Sequence, residues 1–160
     1  MGRRISRTVL AVSIIDMINC AGAVILSVET LRCLYLLRNR TKRHTWGLVG
    51  GKKNSNESII ECLHREFLEE IGQIPNPHKF MALNQFSSSD NNFLYNTYVC
   101  LVDSEFIPIL NSEHYGYCWV DWNKYPKPLH PGFWNTIKIS EIEQKMKSLV
   151  HQISKNDVVY

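Results

Sequence analysis

Residues 51–72 read GKKNSNESIIECLHREFLEEIG, and this stretch carries more information than any other part of the chain. A glycine pair opens a predicted helix on which Glu66, Glu69 and Glu70 stand at positions i, i+3 and i+4. On a helix this spacing puts the three carboxylates on one face, with neighbouring Cβ atoms about 5–6 Å apart. Like charges repel at that spacing, so the pattern indicates a cation that reverses the sign of the interaction. Clustered carboxylate oxygens suit Mg²⁺ or Mn²⁺, ions that commonly serve phosphate chemistry.

The same stretch resembles the signature of the Nudix hydrolases, G-x5-E-x7-R-E-U-x-E-E-x-G-U, in which U is a bulky aliphatic residue. The fixed positions are all occupied as the signature requires, by Gly51, Glu57, Arg65, Glu66, Glu69, Glu70 and Gly72. Phe67 is aromatic at the first U position and Gln73 is polar at the second, but neither position carries chemistry in the family. A solvated acidic helix face would account for the carboxylates. It would not account for the glycines, for Glu57 or for Arg65.

The resemblance implies a metal site. Its expected ligands are the carboxylates of Glu66, Glu69 and Glu70, with a backbone carbonyl from Gly50 or Gly51 as a further ligand. Glycine suits that step because it allows the backbone to approach an ion closely. The expected cofactor is Mg²⁺, with Mn²⁺ as a substitute.

Two signature residues are expected to support those ligands. Arg65 is predicted to orient the carboxylates through charge-assisted hydrogen bonds, and it is counted with Glu69 and Glu70 among the catalytic candidates. Glu57 lies at the start of the helix, where the helix dipole favours a negative charge and a supporting salt bridge is expected. Many relatives have proline before the two glycines, whereas this chain has Val49, so the loop is expected to be less stiff.

Family members often take another glutamate from a distant loop, as a ligand or general base. Glu113 is the preferred candidate for this catalytic role because it comes just before a predicted strand. Glu105 and Glu61 are weaker rivals. The adjacent His114 is expected to be structural or solvated.

Basic residues flank the signature. The candidates for substrate binding are Arg38, Arg40, Lys52 and Lys53, which are expected to attract a polyphosphate, although an ordinary solvated loop would have the same composition. Four aromatic residues are candidates to stack on a nucleobase: Trp46, Tyr95, Tyr117 and Trp119. Core packing is the more frequent role of such residues, so none of them is assigned to the site.

The chain has 160 residues, a length that predicts one domain. Its formal net charge of +3 is small and argues against a dedicated nucleic-acid arm. We divide it into an N-terminal segment of uncertain role (1–18) and a Nudix domain (19–160). The five cysteines include no C-x-x-C pair, so a reducing, cytoplasmic environment is expected. No stretch is long and apolar enough to span a membrane.

Hydrophobic periodicity outlines the secondary structure. Apolar runs predict strands at 20–27, 31–37, 79–86, 93–102 and 115–122. The signature helix is expected to end at Gly72, and apolar residues at three- and four-residue spacing from Ile139 to Ile153 predict a C-terminal helix. A proline-rich connection is expected at 124–131. The pattern indicates an α+β fold, and the resemblance implies the Nudix fold, a mixed β-sheet in an α/β/α sandwich.

The activity implied by the resemblance is metal-dependent hydrolysis of a diphosphate linkage in a nucleoside diphosphate joined to another moiety. ADP-ribose, dinucleoside polyphosphates, nucleotide sugars and dinucleotide cofactors all remain open as substrates. The alternatives are a nucleoside triphosphate pyrophosphohydrolase and an RNA 5′-end pyrophosphohydrolase. A non-catalytic nucleotide sensor is less favoured, since such modules generally lose a signature glutamate. The expected partner is a small nucleotide-derived diphosphate substrate. A nucleic-acid partner is possible but not favoured, and no membrane partner is expected. Whether the chain forms a homodimer is left open.

Overall fold

Two apolar runs form the centre of the sheet in the computed structural model, which describes residues 16–155. The strands β1 (Ile18–Ser27) and β2 (Arg32–Arg38) are antiparallel, and β1 also pairs in parallel with β6 (Phe93–Val102) along its whole length. Parallel neighbours with helices on both sides bury both faces of a strand. The run from Ala21 to Leu26 is accordingly apolar without alternation and fully buried.

The other strands extend this centre on both sides. They are β3 (Trp46–Gly47), β4 (Val49–Lys52), β5 (His78–Ser87) and β7 (His114–Asp121). The main order is β3-β2-β1-β6-β5, with β4 paired to β1 and β7 paired to β2. The sheet is therefore mixed, as predicted.

β1 changes its partner part-way along one edge. Residues 20–23 pair with β4, whereas Ile25 and Leu26 pair with β2. We call this point the fork of the sheet. The fork places the glycine pair of β4 beside the first half of β1, while β2 and β7 continue away from the second half.

Helices cover both faces of the sheet. α1 (Ile59–Ile71) packs on one face, and α2 (Pro131–Ile137) with α3 (Ser140–Ser154) packs on the other. α1 begins with a capping box, in which Ser58 Oγ accepts from the Glu61 N–H while the Glu61 carboxylate accepts from the Ser58 N–H. It ends at Gly72 in a left-handed conformation, as expected. The predicted α/β/α arrangement is confirmed.

All five predicted strands and both predicted helices are present, with ends that differ by one or two residues from the expected ones where bounds were set. The sequence did not predict β3, β4 or α2. β3 and β4 span only 2 and 4 residues, which is too short for a periodic signal. α2 was expected to be part of a proline-rich connection, but Pro131 occupies its first turn and the His130 side chain accepts from the Gly132 N–H.

The N-terminal segment is described only in part. Residues 1–15, which make up most of it, lie outside the described residues, and β1 begins at Ile18, one residue before the boundary that we set. Within 16–155 no helix is long and apolar enough to cross a membrane.

Phe67 and Leu68 are neighbours on α1 with opposite environments, so they offer a matched test of how α1 is held. Phe67 is 0% exposed in the core against the sheet, whereas Leu68 is 55% exposed. We expect Phe67→Ala to lower the free energy of unfolding by about 3–5 kcal/mol, because it removes transfer energy and leaves a cavity. Leu68→Ala is expected to change it by no more than about 0.5 kcal/mol. Urea unfolding followed by circular dichroism measures both; similar losses would contradict the packing of α1.

Candidate active site

Arg65 binds several acidic groups at once. Its Nε and Nη2 contact the two carboxylate oxygens of Glu57 at 3.1 and 2.7 Å, and its Nη1 lies 2.7 Å from Glu66 Oε1 and 3.3 Å from Glu69 Oε2. Nη2 also donates to the Lys52 carbonyl at 2.9 Å. One guanidinium thus joins the start of the signature loop to the acidic face of α1. We call this set of contacts the Arg65 clamp.

Glu57 is the most strongly bound partner in the clamp. The hydrogen bond from Arg65 and a second one from the Asn54 N–H lower the pKa of Glu57 to about 2. The hydrogen bonds that Arg65 donates to Glu57 and Glu66 raise the pKa of Arg65 above its ordinary value. Glu57 is therefore an ionised structural anchor, consistent with the supporting salt bridge expected from the sequence.

Glu66 lies directly against the glycine step. A Cβ added at Gly51 would be 2.4 Å from Glu66 Oε1, so only glycine leaves room for this carboxylate in its present position. Glu66 is buried, and burial raises its pKa even though Arg65 lowers it. The carboxylate is thus brought close to the backbone of β4 at a cost in desolvation.

Glu70 is held by the other glycine. Its Oε2 accepts a hydrogen bond of 2.9 Å from the Gly50 N–H. Burial raises the pKa of Glu70 to about 8, the bond from Gly50 opposes that rise, and the charges of Glu66 and Glu113 add to it. Gly50 has φ +154°, and a Cβ there would be 2.1 Å from the Ala21 carbonyl oxygen, so this position requires glycine for the backbone itself.

Glu113, at the end of the loop before β7, and His114, the first residue of β7, lie near the same carboxylates. Glu113 is exposed and lies within electrostatic range of Glu66 and Glu70. His114 is buried, with Nε2 3.8 Å from Glu70 Oε1, which agrees with the expected structural role better than with a solvated one. Burial lowers the pKa of His114. Glu105 instead forms an ion pair with Arg32, and Glu61 caps α1.

Asn111, which is not among the residues predicted from the sequence, orients this loop. Its Oδ1 accepts from the Glu113 N–H and contacts His114 Nδ1, both at 3.1 Å. Because the backbone N–H requires an acceptor, the contact to His114 requires a proton on Nδ1, which leaves Nε2 towards Glu70. An asparagine two residues before the bonded N–H is a common turn signal, and it would have identified this residue.

The predicted basic residues differ in their surroundings. Arg38 is half-buried at the end of β2, pairs in register with His114, and lies close enough to Glu70 to lower its pKa. Arg40 is exposed in a single 3-10 turn. Lys52 is exposed at the end of β4, whereas Lys53 donates to the carbonyls of Asn54 and Glu57 and so holds the signature loop. Among these four residues, Arg38 is therefore the one whose charge acts on Glu70.

The donor set fits a divalent cation. Burial raises the pKa of both Glu66 and Glu70, and the charges of neighbouring glutamates add to that rise, although Arg65 lowers the pKa of Glu66 and Arg38 lowers that of Glu70. Hard oxygen donors in excess over cationic side chains are what Mg²⁺ and Mn²⁺ prefer. Among residues 16–155, however, no three His, Cys, Asp or Glu side chains are already arranged around one point that would hold an ion. The carboxylates would have to converge on it.

A comparison with protein families settles the relationship that the signature suggested. The model described as "NUDIX domain" matches residues 7–138. The chain belongs to the Nudix family. Nudix hydrolases generally use divalent metals, in agreement with the chemistry of the donor set.

Individual relatives support the same fold. The 8-oxo-dGTP diphosphatase of Buchnera aphidicola subsp. Acyrthosiphon pisum (strain APS) is 42% identical over 41 residues, which is 26% of this chain and 33% of that protein. The Nudix hydrolase RenU of M. smegmatis superimposes with a TM-score of 0.64 at 19% identity, over 84% of this chain and 86% of its own. A MutT/nudix family protein of Enterococcus faecalis gives 0.55 at 24% identity, over 65% and 43%. The matched region thus spans less than half of two of these three proteins.

Gly51 provides a test of Glu66 as a ligand in this Nudix chain. We expect Gly51→Ala to displace the flexible Glu66 carboxylate with little loss of stability, because the new Cβ meets the end of a side chain and no backbone atom. Loss of a correctly placed ligand or its support typically weakens metal binding about 10- to 100-fold. Mn²⁺ titration followed by electron paramagnetic resonance measures the change. Gly116→Ala is the matched control, since nothing lies within 4 Å of its added Cβ. Equal Mn²⁺ affinity in both variants would show that Glu66 does not bind the ion.

Glu57 provides a test of the Arg65 clamp by pH. Its pKa of about 2 lies below the ordinary value of 4.5, so its contribution to stability is complete above pH 4.5 and is lost as pH falls towards 2. We therefore expect metal-free wild type to be more stable than Glu57→Gln at pH 6 and the difference to shrink steadily below pH 4.5. Urea unfolding of both proteins between pH 2 and 7 measures it. A difference that is independent of pH would mean that the ionised carboxylate is not what stabilises the clamp.

Proposed function

We propose that this protein is a divalent-cation-dependent pyrophosphohydrolase that cleaves the diphosphate linkage of a nucleoside diphosphate joined to another moiety. The observation that supports it most is the acidic face of α1 under the glycine step, where Glu66 meets Gly51 and Glu70 accepts from Gly50. The Arg65 clamp holds the start of the signature loop against the same face. Membership of the Nudix family and the name of the Buchnera relative point to the same class of reaction.

The residues that would hold Mg²⁺, or Mn²⁺ in its place, are Glu66, Glu69 and Glu70, with a carbonyl from Gly50 or Gly51. When bound, such an ion neutralises phosphate oxygens and lowers the pKa of a coordinated water. Arg65 keeps Glu66 and Glu69 oriented towards the site. The Gly50 N–H fixes one oxygen of Glu70 and leaves the other on the side of His114.

Glu113 is our proposed general base. It is exposed, its backbone N–H is held by Asn111, and it is close enough to influence Glu66 and Glu70. A base there can take the proton of the attacking water while remaining accessible to substrate. Arg38 would bind the phosphate oxygens, and the exposed Arg40 and Lys52 would add attraction at longer range. Lys53 acts mainly through the loop that it holds.

The substrate class has two leading candidates. A nucleoside diphosphate linked to another moiety, such as ADP-ribose, is the first. A nucleoside triphosphate is the second, and the relative named 8-oxo-dGTP diphosphatase favours it, although that match covers only 26% of this chain. An RNA 5′ end is a third substrate, which would contact several phosphates and so bind with a steep dependence on salt.

A substrate screen in which the reaction products are separated by chromatography tests the proposal, because cleavage of these linkages gives phosphate monoesters or pyrophosphate and no free phosphate. ADP-ribose, a dinucleoside polyphosphate, a nucleotide sugar, a dinucleotide cofactor, nucleoside triphosphates including 8-oxo-dGTP, and a 5′-triphosphorylated RNA are each supplied with Mg²⁺ or Mn²⁺. We expect one class to be turned over, and Glu70→Gln to lower kcat at least about 100-fold, the order of loss seen when a charge-stabilising group is removed from a site.

Glu143→Gln is the matched control for that screen, because Glu143 is an exposed carboxylate on α3 paired with Lys147. It should leave turnover unchanged. If Glu70→Gln retained wild-type turnover, the catalytic proposal would be wrong. If folded wild type bound Mn²⁺ but hydrolysed none of the compounds, a nucleotide-sensing role would replace it.

A further inference from the structure

Positive charge is concentrated in one segment of the chain. The whole chain has 18 Lys and Arg against 15 Asp and Glu, but residues 30–56 contain seven of the Lys and Arg and none of the Asp and Glu. The small net charge is therefore the sum of a basic segment and an acidic remainder. Within the basic segment, residues 39–44 lie between β2 and β3 and read NRTKRH, and we call them the basic loop. Residues 40–44 are all exposed.

The cationic side chains of the basic loop are not neutralised by neighbouring acids. Within residues 16–155, no carboxylate forms an ion pair with Arg40, Lys42 or Arg43. Exposed lysines elsewhere, such as Lys124 beside Asp121, do form such pairs. Like charges close together repel one another, so an anion from outside the chain would stabilise the loop.

Hydrogen bonds hold the basic loop in a defined conformation. The Asn39 N–H donates to the Glu113 carbonyl at 2.8 Å and the Asn39 Nδ2 to the Ser112 carbonyl at 3.0 Å, which fixes the loop to the segment that carries the proposed general base. Arg43 and His44 have φ +65° and +49°, a region that residues with a side chain rarely adopt. A simple turn is more easily made with glycine or asparagine at such positions, and strained residues of this kind cluster where loops bind ligands.

Arg38 connects the basic loop to the carboxylates. Its side chain runs past Gly47, where an added Cβ would be 3.7 Å from Arg38 Cδ and 4.0 Å from His130 Cβ. Burial lowers the pKa of His130, and the charges of Arg38 and Arg43 lower it further, so both guanidinium groups lie near that histidine. The charge of Arg38 also lowers the pKa of Glu70. Positive charge therefore continues from the candidate metal site to the basic loop.

An exposed aromatic ring lies beside the basic loop. Tyr115 is 61% exposed, and its ring centroid is 6.0 Å from that of His44 with an angle of 62° between the planes. A basic surface next to an exposed ring suits a single-stranded nucleic acid, because cations bind its phosphates while the ring stacks on a base. An anionic membrane is a less suitable partner, since residues 39–44 include no apolar side chain that could enter a lipid layer.

We propose that the basic loop binds the sugar-phosphate backbone of a single-stranded nucleic acid, with Tyr115 stacked on one of its bases. This binding goes beyond the proposed function and does not depend on it, because it uses none of the carboxylates. Together with the proposed hydrolysis, on which this last step rests, it favours a substrate whose second moiety is a chain of nucleotides.

The experiment measures the binding of a short single-stranded RNA, and of DNA with the same sequence, by fluorescence anisotropy over a range of NaCl concentrations. Each strand has a 5′-hydroxyl end, so that terminal phosphates contribute nothing. We expect the triple variant Arg40→Gln/Lys42→Gln/Arg43→Gln to reduce the slope of log K against log [NaCl] by about 2, because each phosphate contact contributes about 0.7 for a single strand. At about 0.1 M NaCl this corresponds to binding about 100-fold weaker.

The matched control removes the same amount of charge elsewhere. Lys124→Gln/Lys147→Gln/Lys155→Gln changes three exposed lysines that lie after β7, on α3 and at the end of α3. It should leave the slope and the affinity near those of wild type. Tyr115→Ala should weaken binding about 10-fold, the middle of the range for loss of a stacking residue, whereas Tyr115→Phe should keep the affinity. Thermal unfolding of each variant checks that the protein is folded.

Two results would overturn the proposal. Equal weakening by both triple variants would show that net charge attracts the strand without a defined site. Binding of vesicles that contain phosphatidylserine, lost in the basic-loop variant, with no binding of either strand, would show that the loop contacts a membrane. A difference between RNA and DNA would identify the nucleic acid. Strand binding that depends on the basic loop, in a protein that hydrolyses no compound, would support this surface while the proposed hydrolysis failed.

Discussion

The candidate site depends on the contacts that the Arg65 guanidinium makes. The acidic face of α1 would repel itself, and the loop before it has no regular secondary structure between β4 and α1. By binding Glu57, Glu66, Glu69 and the Lys52 carbonyl together, Arg65 offsets that repulsion and fixes the loop to the helix. A lysine would supply the charge but not the planar set of five donors needed to reach four groups at once.

The carboxylates fall into two groups because of this arrangement. Glu57 is held in its ionised form, while Glu66 and Glu70 remain desolvated with raised pKa values. Glu57 has a structural role. For Glu66 and Glu70, a bound cation would offset the cost of keeping desolvated carboxylates in their charged form. Both glycines contribute to that state, because Gly51 leaves room for the Glu66 carboxylate and the Gly50 N–H donates to Glu70.

The fork of the sheet brings separate elements of the site together. β4 leaves β1 where β2 takes over, so the glycine step, the end of β2 and the start of β7 all meet near Glu70. Gly22 leaves room for the Tyr95 hydroxyl, on the face of the sheet opposite α1.

The amino-acid sequence by itself determined the family, the main strands, the end of α1 and the carboxylates on one face of that helix. These follow from local patterns: the alternation and runs of apolar residues, the i, i+3, i+4 acids and the glycine that ends the helix at 72. Tertiary structure alone decided which distant residues join them. The bond from Asn111 to the Glu113 loop, the pairing of Arg38 with His114 and the alignment of Phe86 with Tyr95 each depend on strand register across tens of residues. Register is set by the packing of the whole sheet, which no local pattern encodes.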